Sequence, residues 1–128
     1  MLKRLFWFGL VGVAGFAVDA GVLYLLKDLT GLYSARALSF VAAVFATWIL
    51  NRTITFKQKD SGLNKRKEFL AYLSLMLIGG AFNYFSFVLL IIYVDVVREH
   101  PIIGVAIGSI LGMLVNFFTA SNLYKKKV

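Results

Sequence analysis

Thr47-Trp48-Ile49-Leu50-Asn51-Arg52-Thr53-Ile54-Thr55-Phe56 runs through apolar sequence into an Asn-Arg pair and out again into a Thr/Ile/Phe tail. An arginine flanked by apolar residues on both sides marks a boundary, and the upstream sequence says which kind. Ser34–Leu50 holds a single charge, Arg36, near its start. A helix rises about 1.5 Å per residue, so a run of about 17–25 apolar residues crosses a hydrocarbon core about 30 Å thick. Arg52 then lies where such a helix meets the lipid headgroups, its long stem letting the charged tip reach water.

Three more stretches have the same character: Leu5–Leu26, Phe69–Ile92 and Ile102–Tyr124, with boundaries good to about three residues. The composition agrees. The 128 residues are 60% hydrophobic and 16% charged, with a mean hydropathy of +0.82, whereas soluble domains carry about 25% charged residues. Strands are excluded because lipid would leave their open edges unsatisfied. The expected fold is an all-α integral membrane protein with four transmembrane helices in one domain, 1–128. Lys3 and Arg4 before an apolar run also fit the start of a secretory signal peptide, but the run is long for that purpose.

Orientation follows from the basic residues. Eleven of the fourteen Lys and Arg fall at the N-terminus (Lys3, Arg4), in and beside the central loop 57–68 (Arg52, Lys57, Lys59, Lys65, Arg66, Lys67) and at the C-terminus (Lys125, Lys126, Lys127). Only Lys27, Arg36 and Arg98 lie on the other side. The positive-inside rule then puts both termini and the central loop in the cytoplasm, at the cell membrane. Trp7, Trp48, Tyr72 and Tyr124 fall near that interface, and Tyr24, Tyr33 and Tyr93 near the outer one. On a polar protein a net charge of +8 would suggest nucleic acid. Here it faces anionic lipid, and no nucleic-acid partner is expected.

The chain also matches itself weakly at an offset of 64, Gly15 on Gly79 and Asp19 on Asn83, and with a small loop change Thr47-Trp48 falls on Asn116-Phe117. Two spans per half keep both halves in one orientation, so the repeat would be of two parallel helical hairpins.

Polar residues at membrane depth are the candidate site. Asp19 is the only acid in an expected span; at about 2.5–3.5 kcal/mol on insertion scales it should face protein or water. It shares a helix face with Gly12 and Gly15. It is read as a proton site or an acceptor for sugar hydroxyls, or as a helix-packing hydrogen bond. Asn83 and Asn116 can each bind ligand hydroxyls or join helices. Gly104, Gly108 and Gly112 form a small-residue face for packing within the chain or between subunits. Asp95, Arg98, Glu99 and His100 read as a solvated loop rather than a metal site. Lys57, Lys65, Arg66 and Lys67, with Lys3 and Arg4, make a surface for lipid phosphates. With no cysteine, no nucleotide fingerprint and no nucleophile–base pair, neither an enzyme nor a cofactor or metal is expected.

The opening stretch resembles the end of the second span in the GtrA-like family, where the pattern reads N-F-L-L-N-R-x-W-x-F. Asn51, Arg52 and Phe56 match; Thr47, Trp48 and Ile54 stand at its Asn, Phe and Trp positions. The basic pair, Gly12, Gly15 and Asp19 resemble the family's R-F-x-x-V-G-x-x-x-x-x-x-D opening, and Asn116-Phe117 a second N-F element. The likeness covers the whole chain. It departs in the second half, where Ser121 stands for a second Arg and Lys125 for the terminal Phe, which puts in doubt any role needing two symmetric arginines.

The resemblance implies a part in cell-surface polysaccharide or glycolipid synthesis, by movement of a polyprenyl-phosphate-linked sugar across the membrane. On that reading Arg52, helped by the other basic residues, binds the phosphate by charge-assisted hydrogen bonds, and Asp19, Asn51, Asn83 and Asn116 face the substrate. Two other readings stay open: a non-catalytic membrane subunit that anchors or assists a glycosyltransferase partner, and a small proton-coupled drug exporter that uses Asp19. Four short helices barely enclose a sugar, so a homo-oligomer is expected.

Overall fold

The computed structural model describes the backbone of residues 1–127 and every side chain among them except those of Leu32, Lys126 and Lys127. The elements are α1 (Leu2–Thr30), α2 (Leu32–Leu50) continued by a π turn (Asn51–Thr55), β1 (Lys59–Asp60), α3 (Lys65–Tyr93), a short α4 (Asp95–Glu99), α5 (Pro101–Leu123) and β2 (Lys126–Lys127). Four helical segments are long and apolar enough to cross a membrane: Leu2–Thr30, Tyr33–Thr55, Lys65–Tyr93 and Pro101–Leu123. Only 6–22% of the most apolar window of each is buried, so the apolar side chains cover the outside, as lipid requires. The chain is an all-α, multi-pass membrane protein.

The helices overrun the apolar stretches. α1 continues through Lys27 and Asp28 to Thr30, and α3 begins at Lys65, so Lys65, Arg66, Lys67 and Glu68 form a helical turn rather than the end of the central loop. Hydropathy marks where lipid ends, and a helix runs on while its backbone bonds continue. α1 stops at Gly31, whose φ of 86° suits glycine because a β-carbon would clash there. Its N–H donates to the Lys27 carbonyl and its own carbonyl accepts from the Ala35 N–H, so one residue joins α1 to α2. Asn64 Oδ1 accepts from the Lys67 N–H at 2.9 Å and caps α3.

The π turn has a local cause. Thr53-Ile54-Thr55 is β-branched throughout and crowds an α-helical turn. The Thr53 hydroxyl donates back to the Ile49 carbonyl at 2.7 Å, and the Phe56 N–H reaches the Asn51 carbonyl at 2.8 Å, five residues away.

Contacts divide the chain into two compact units, Met1–Leu73 with Leu123–Val128, and Ser74–Asn122. The first unit buries Phe8, Val11, Ala35, Val44, Trp48, Phe56, Tyr72 and Tyr124. In it β1 pairs with β2, Lys59 opposite Lys127 and Asp60 opposite Lys126.

The second unit buries Met76, Val97, Phe117 and Ala120. Its small-residue face is used inside the chain: Gly104 lies against Val97 and Phe87, Gly108 and Gly112 against Asn83. The end of α3 is closed by Arg98, which donates to the carbonyls of Ile91 and Ile92 and pairs with Asp95. The segment expected as a solvated loop is thus partly a helical turn whose arginine satisfies carbonyls that lipid would leave bare.

The repeat recurs as a contact. Gly15 packs against Thr47 in the first unit, and Gly79 packs against Asn116 in the second, at the positions that the offset pairs.

Candidate functional site: a basic cleft and the buried glutamate beside it

The first turns of α1 carry Lys3, Arg4 and Trp7; the π turn leads into Phe56, Lys57, Gln58 and Lys59. These two segments of the first unit enclose a cleft of about 590 Å³. The structure therefore brings together Lys3, Arg4 and Lys57 of the basic residues singled out above, and adds Lys59. Lys65, Arg66 and Lys67 stand exposed on α3 and do not line the cleft.

Arg52 does not line it either. Its Nε donates to Glu68 Oε2 at 2.8 Å and its Nη2 to Oε1 at 3.3 Å. Glu68 is fully buried, and three more donors meet its carboxylate: Trp48 Nε1 at 2.7 Å, Ser61 Oγ at 2.7 Å and Tyr124 OH at 2.8 Å. A buried charge is tolerable only when paired and hydrogen-bonded, and here both oxygens are served. The Arg52 guanidinium also lies 5.9 Å from the Trp48 ring centre.

Tyr124 follows the last residue of the fourth span. Burial, then the hydrogen bond to Glu68 and its charge, push the phenol above its ordinary range. A raised pKa means that the folded state holds the proton longer. The stability this contributes is whole below about pH 10, where a free phenol titrates, and is lost as the pH rises through the folded value. Tyr124→Phe should accordingly leave the ultraviolet phenolate titration unchanged up to about pH 10; loss of one tyrosine's signal there would contradict this placement.

Asn51 is equally occupied. Its Nδ2 donates to the Tyr72 hydroxyl at 2.8 Å, its Oδ1 accepts from Thr55 at 2.8 Å, and the Tyr72 hydroxyl donates on to Thr47 at 3.2 Å. Phe56 stacks on Tyr124 with ring centres 4.9 Å apart and meets Phe8 edge to face. The opening stretch thus turns Trp48, Asn51, Arg52, Thr55 and Phe56 inward, fastening the end of α2 to α3, to the central loop and to Tyr124. Here the arginine amid apolar sequence is explained by its partner Glu68.

At the other end of α2, Arg36 Nη1 donates to both oxygens of Asp19, at 2.9 and 3.0 Å. Asp19 is tucked in while Arg36 stays 60% exposed. In the second unit Asn83 packs on Gly108 beside a smaller pocket of about 220 Å³ with Tyr84 and Ser109. Asn116 presses against Gly79, its buried Oδ1 without a hydrogen bond among the described residues.

Sequence reasoning placed Glu68 among the loop charges, passed over Ser61, and counted Lys59 for orientation without including it in the phosphate-binding surface. The one available signal was an acid standing directly before the apolar run at Phe69, where a first-turn carboxylate favours the helix dipole. Its burial had no signature.

No curated protein and no solved structure matches the chain. One family model, described as GtrA/DPMS, transmembrane domain, matches residues 7–124. That match takes in the last three spans, the first span from Trp7 onward and the whole of the stretch from Trp48 to Phe56, and by it the chain belongs to the GtrA/DPMS transmembrane-domain family.

Proposed function

We propose that the protein moves a polyprenyl-phosphate-linked sugar across the cell membrane for cell-surface polysaccharide or glycolipid synthesis, receiving its headgroup at the basic cleft. Family membership suggests a role in membrane processes that involve polyprenyl-phosphate sugars. The observation that carries the finer reading is the cleft itself, which gathers Lys3, Arg4, Lys57 and Lys59 beside the indole of Trp7. Phosphate oxygens take charge-assisted hydrogen bonds from such groups, and an indole suits the boundary between headgroup and hydrocarbon. By the excess of Lys and Arg on one side, the cleft, both termini and the central loop face the cytoplasm. Lys65, Arg66 and Lys67 hold the anionic lipid surface nearby. The transporting unit is a homo-oligomer, joined through a face other than the glycines of α5, and the protein is not an enzyme.

One observation favours a second reading. Asp19 and Asn51, two of the residues expected to meet the sugar, are hydrogen-bonded to partners within the chain, and Asn116 is packed against Gly79. A bundle with its polar groups so engaged also suits a non-catalytic membrane subunit of a glycosyltransferase. Proton-coupled drug export would need Asp19 to exchange protons, and Arg36 holds both its oxygens.

Transbilayer movement in proteoliposomes decides between them. With a series of polyprenyl-phosphate sugars, the purified protein should accelerate movement, and charge reversal at Lys3, Arg4 and Lys57 together should lower the rate by at least about tenfold. A folded protein that moves no lipid but co-purifies with a transferase would establish the second reading.

A further inference from the structure

The cleft differs from three other arginine sites of the chain. Arg36 faces Asp19, Arg52 faces Glu68 and Arg98 faces Asp95, at 2.8–2.9 Å. Lys3, Arg4, Lys57 and Lys59 converge on one cleft whose lining, among the described residues, includes no Asp, Glu or His. Cations gathered without a counter-charge repel one another, and an anion placed among them removes that penalty. The wall is partly apolar: Trp7 and Ile54, both exposed residues, are part of its lining. The fitting ligand is therefore an anion on a hydrocarbon chain, with oxygens toward the cations and carbons toward the rings.

A sugar linked to a lipid through one phosphate is a phosphodiester with a single negative charge, and four cationic side chains exceed it. A phosphomonoester carries about −1.5 to −2 at pH 7, its second proton leaving near pH 6. We infer that the basic cleft selects a multiply charged lipid headgroup, the sugar-free phosphomonoester of the polyprenyl carrier, over the singly charged sugar diester. This rests on the cleft being the headgroup site.

The reaction class that supplies such a ligand is glycosyl transfer from the lipid diester. The bond between sugar C1 and the phosphate oxygen breaks, and C1 bonds to an acceptor hydroxyl, which gives up its proton. The electron pair stays on the phosphate oxygen, which thereby gains a second ionisable position. Both lipids are then received at the basic face, the carrier without its sugar being held longer there and the sugar-loaded lipid passed on more readily.

The test uses the full chain in nonionic detergent, titrated calorimetrically with dodecyl phosphate, with dodecyl methyl phosphate and with inorganic phosphate. The monoester should bind about tenfold tighter than the diester near pH 7.5, and the gap should narrow to about twofold near pH 5, where the monoester holds its second proton. The charged side chains lining the cleft are Lys3, Arg4, Lys57 and Lys59, with no carboxylate or imidazole among them, so a gap that closes in acid reports the ligand's own ionisation. Lys3→Gln, Arg4→Gln and Lys57→Gln together, all at exposed positions, should weaken both lipids and the monoester more.

Equal affinity for monoester and diester near pH 7.5, with both weakened by the triple variant, would overturn the charge selection and leave the headgroup site standing. No effect of the triple variant on either lipid would overturn the headgroup site itself. Inorganic phosphate binding as tightly as dodecyl phosphate would overturn the assignment of a lipid ligand.

Discussion

Arg52→Ala should destabilise the first unit by about 3 kcal/mol or more, because it strands a carboxylate that cannot reach water. Glu68 is fully buried, and without the guanidinium it keeps only the neutral donors of Trp48, Ser61 and Tyr124. Glu68→Gln should cost less, about 1–2 kcal/mol, since it removes the buried charge, keeps the shape, and leaves Arg52, whose side chain is 31% exposed, free to turn to solvent. The double variant should then cost less than the two singles added. Thermal unfolding in detergent measures all three. An Arg52→Ala protein as stable as the parent would show that the ion pair does not hold the end of α2. The same result bears on transport: loss of movement in Arg52→Ala reflects a damaged fold rather than a lost phosphate contact, and the cleft residues are the ones to vary.

The second large effect lies in the other unit. A β-carbon at Gly108 would stand 2.7 Å from Asn83 Oδ1 and 2.8 Å from the Asn83 carbonyl oxygen. A side chain can rotate away, but a backbone carbonyl within a helix cannot. With a backbone carbonyl in the way the overpacking falls in the upper part of its range of about 1–3 kcal/mol, so that after the helical preference for alanine over glycine of about 1 kcal/mol Gly108→Ala is expected to cost about 1–2 kcal/mol net. Gly12→Ala supplies the contrast, since nothing lies within 4 Å of its β-carbon; it should be neutral or slightly stabilising. Equal melting temperatures for the two variants would refute the close approach of α5 to Asn83.

The four spans were legible in the sequence because lipid thickness imposes a length and a polarity that few other constraints mimic. The glycine repeat was legible for a related reason: a close helix crossing excludes side chains, so Gly15 and Gly79 are marked by what they lack, and their partners Thr47 and Asn116 follow at matching positions. Gly12 shares the spacing of Gly15, yet among the described residues nothing lies within 4 Å of a β-carbon placed there, since periodicity gives a face and not its occupant. Arg52 was singled out correctly as unusual, but its partner stands sixteen residues on, across a loop whose charges all look solvated. Burial of one carboxylate among such charges is a tertiary event. The cleft was half legible: Lys3, Arg4 and Lys57 were expected at one interface, whereas their meeting depends on the π turn that carries the chain from α2 past α1.

Gly31 bears on how the chain enters the bilayer. With one residue between α1 and α2, and its N–H and carbonyl both bonded to the flanking turns, there is no loop to thread across ahead of the second helix. With so short a link, α1 and α2 are expected to cross as a single hairpin rather than one after the other. The polar cargo at its tip is Lys27, Asp28 and Arg36, with Arg36 already offset by Asp19. On this expectation the Asp19–Arg36 pair, which joins the two helices in the folded protein, would also spare the hairpin the cost of carrying two unpaired charges through hydrocarbon.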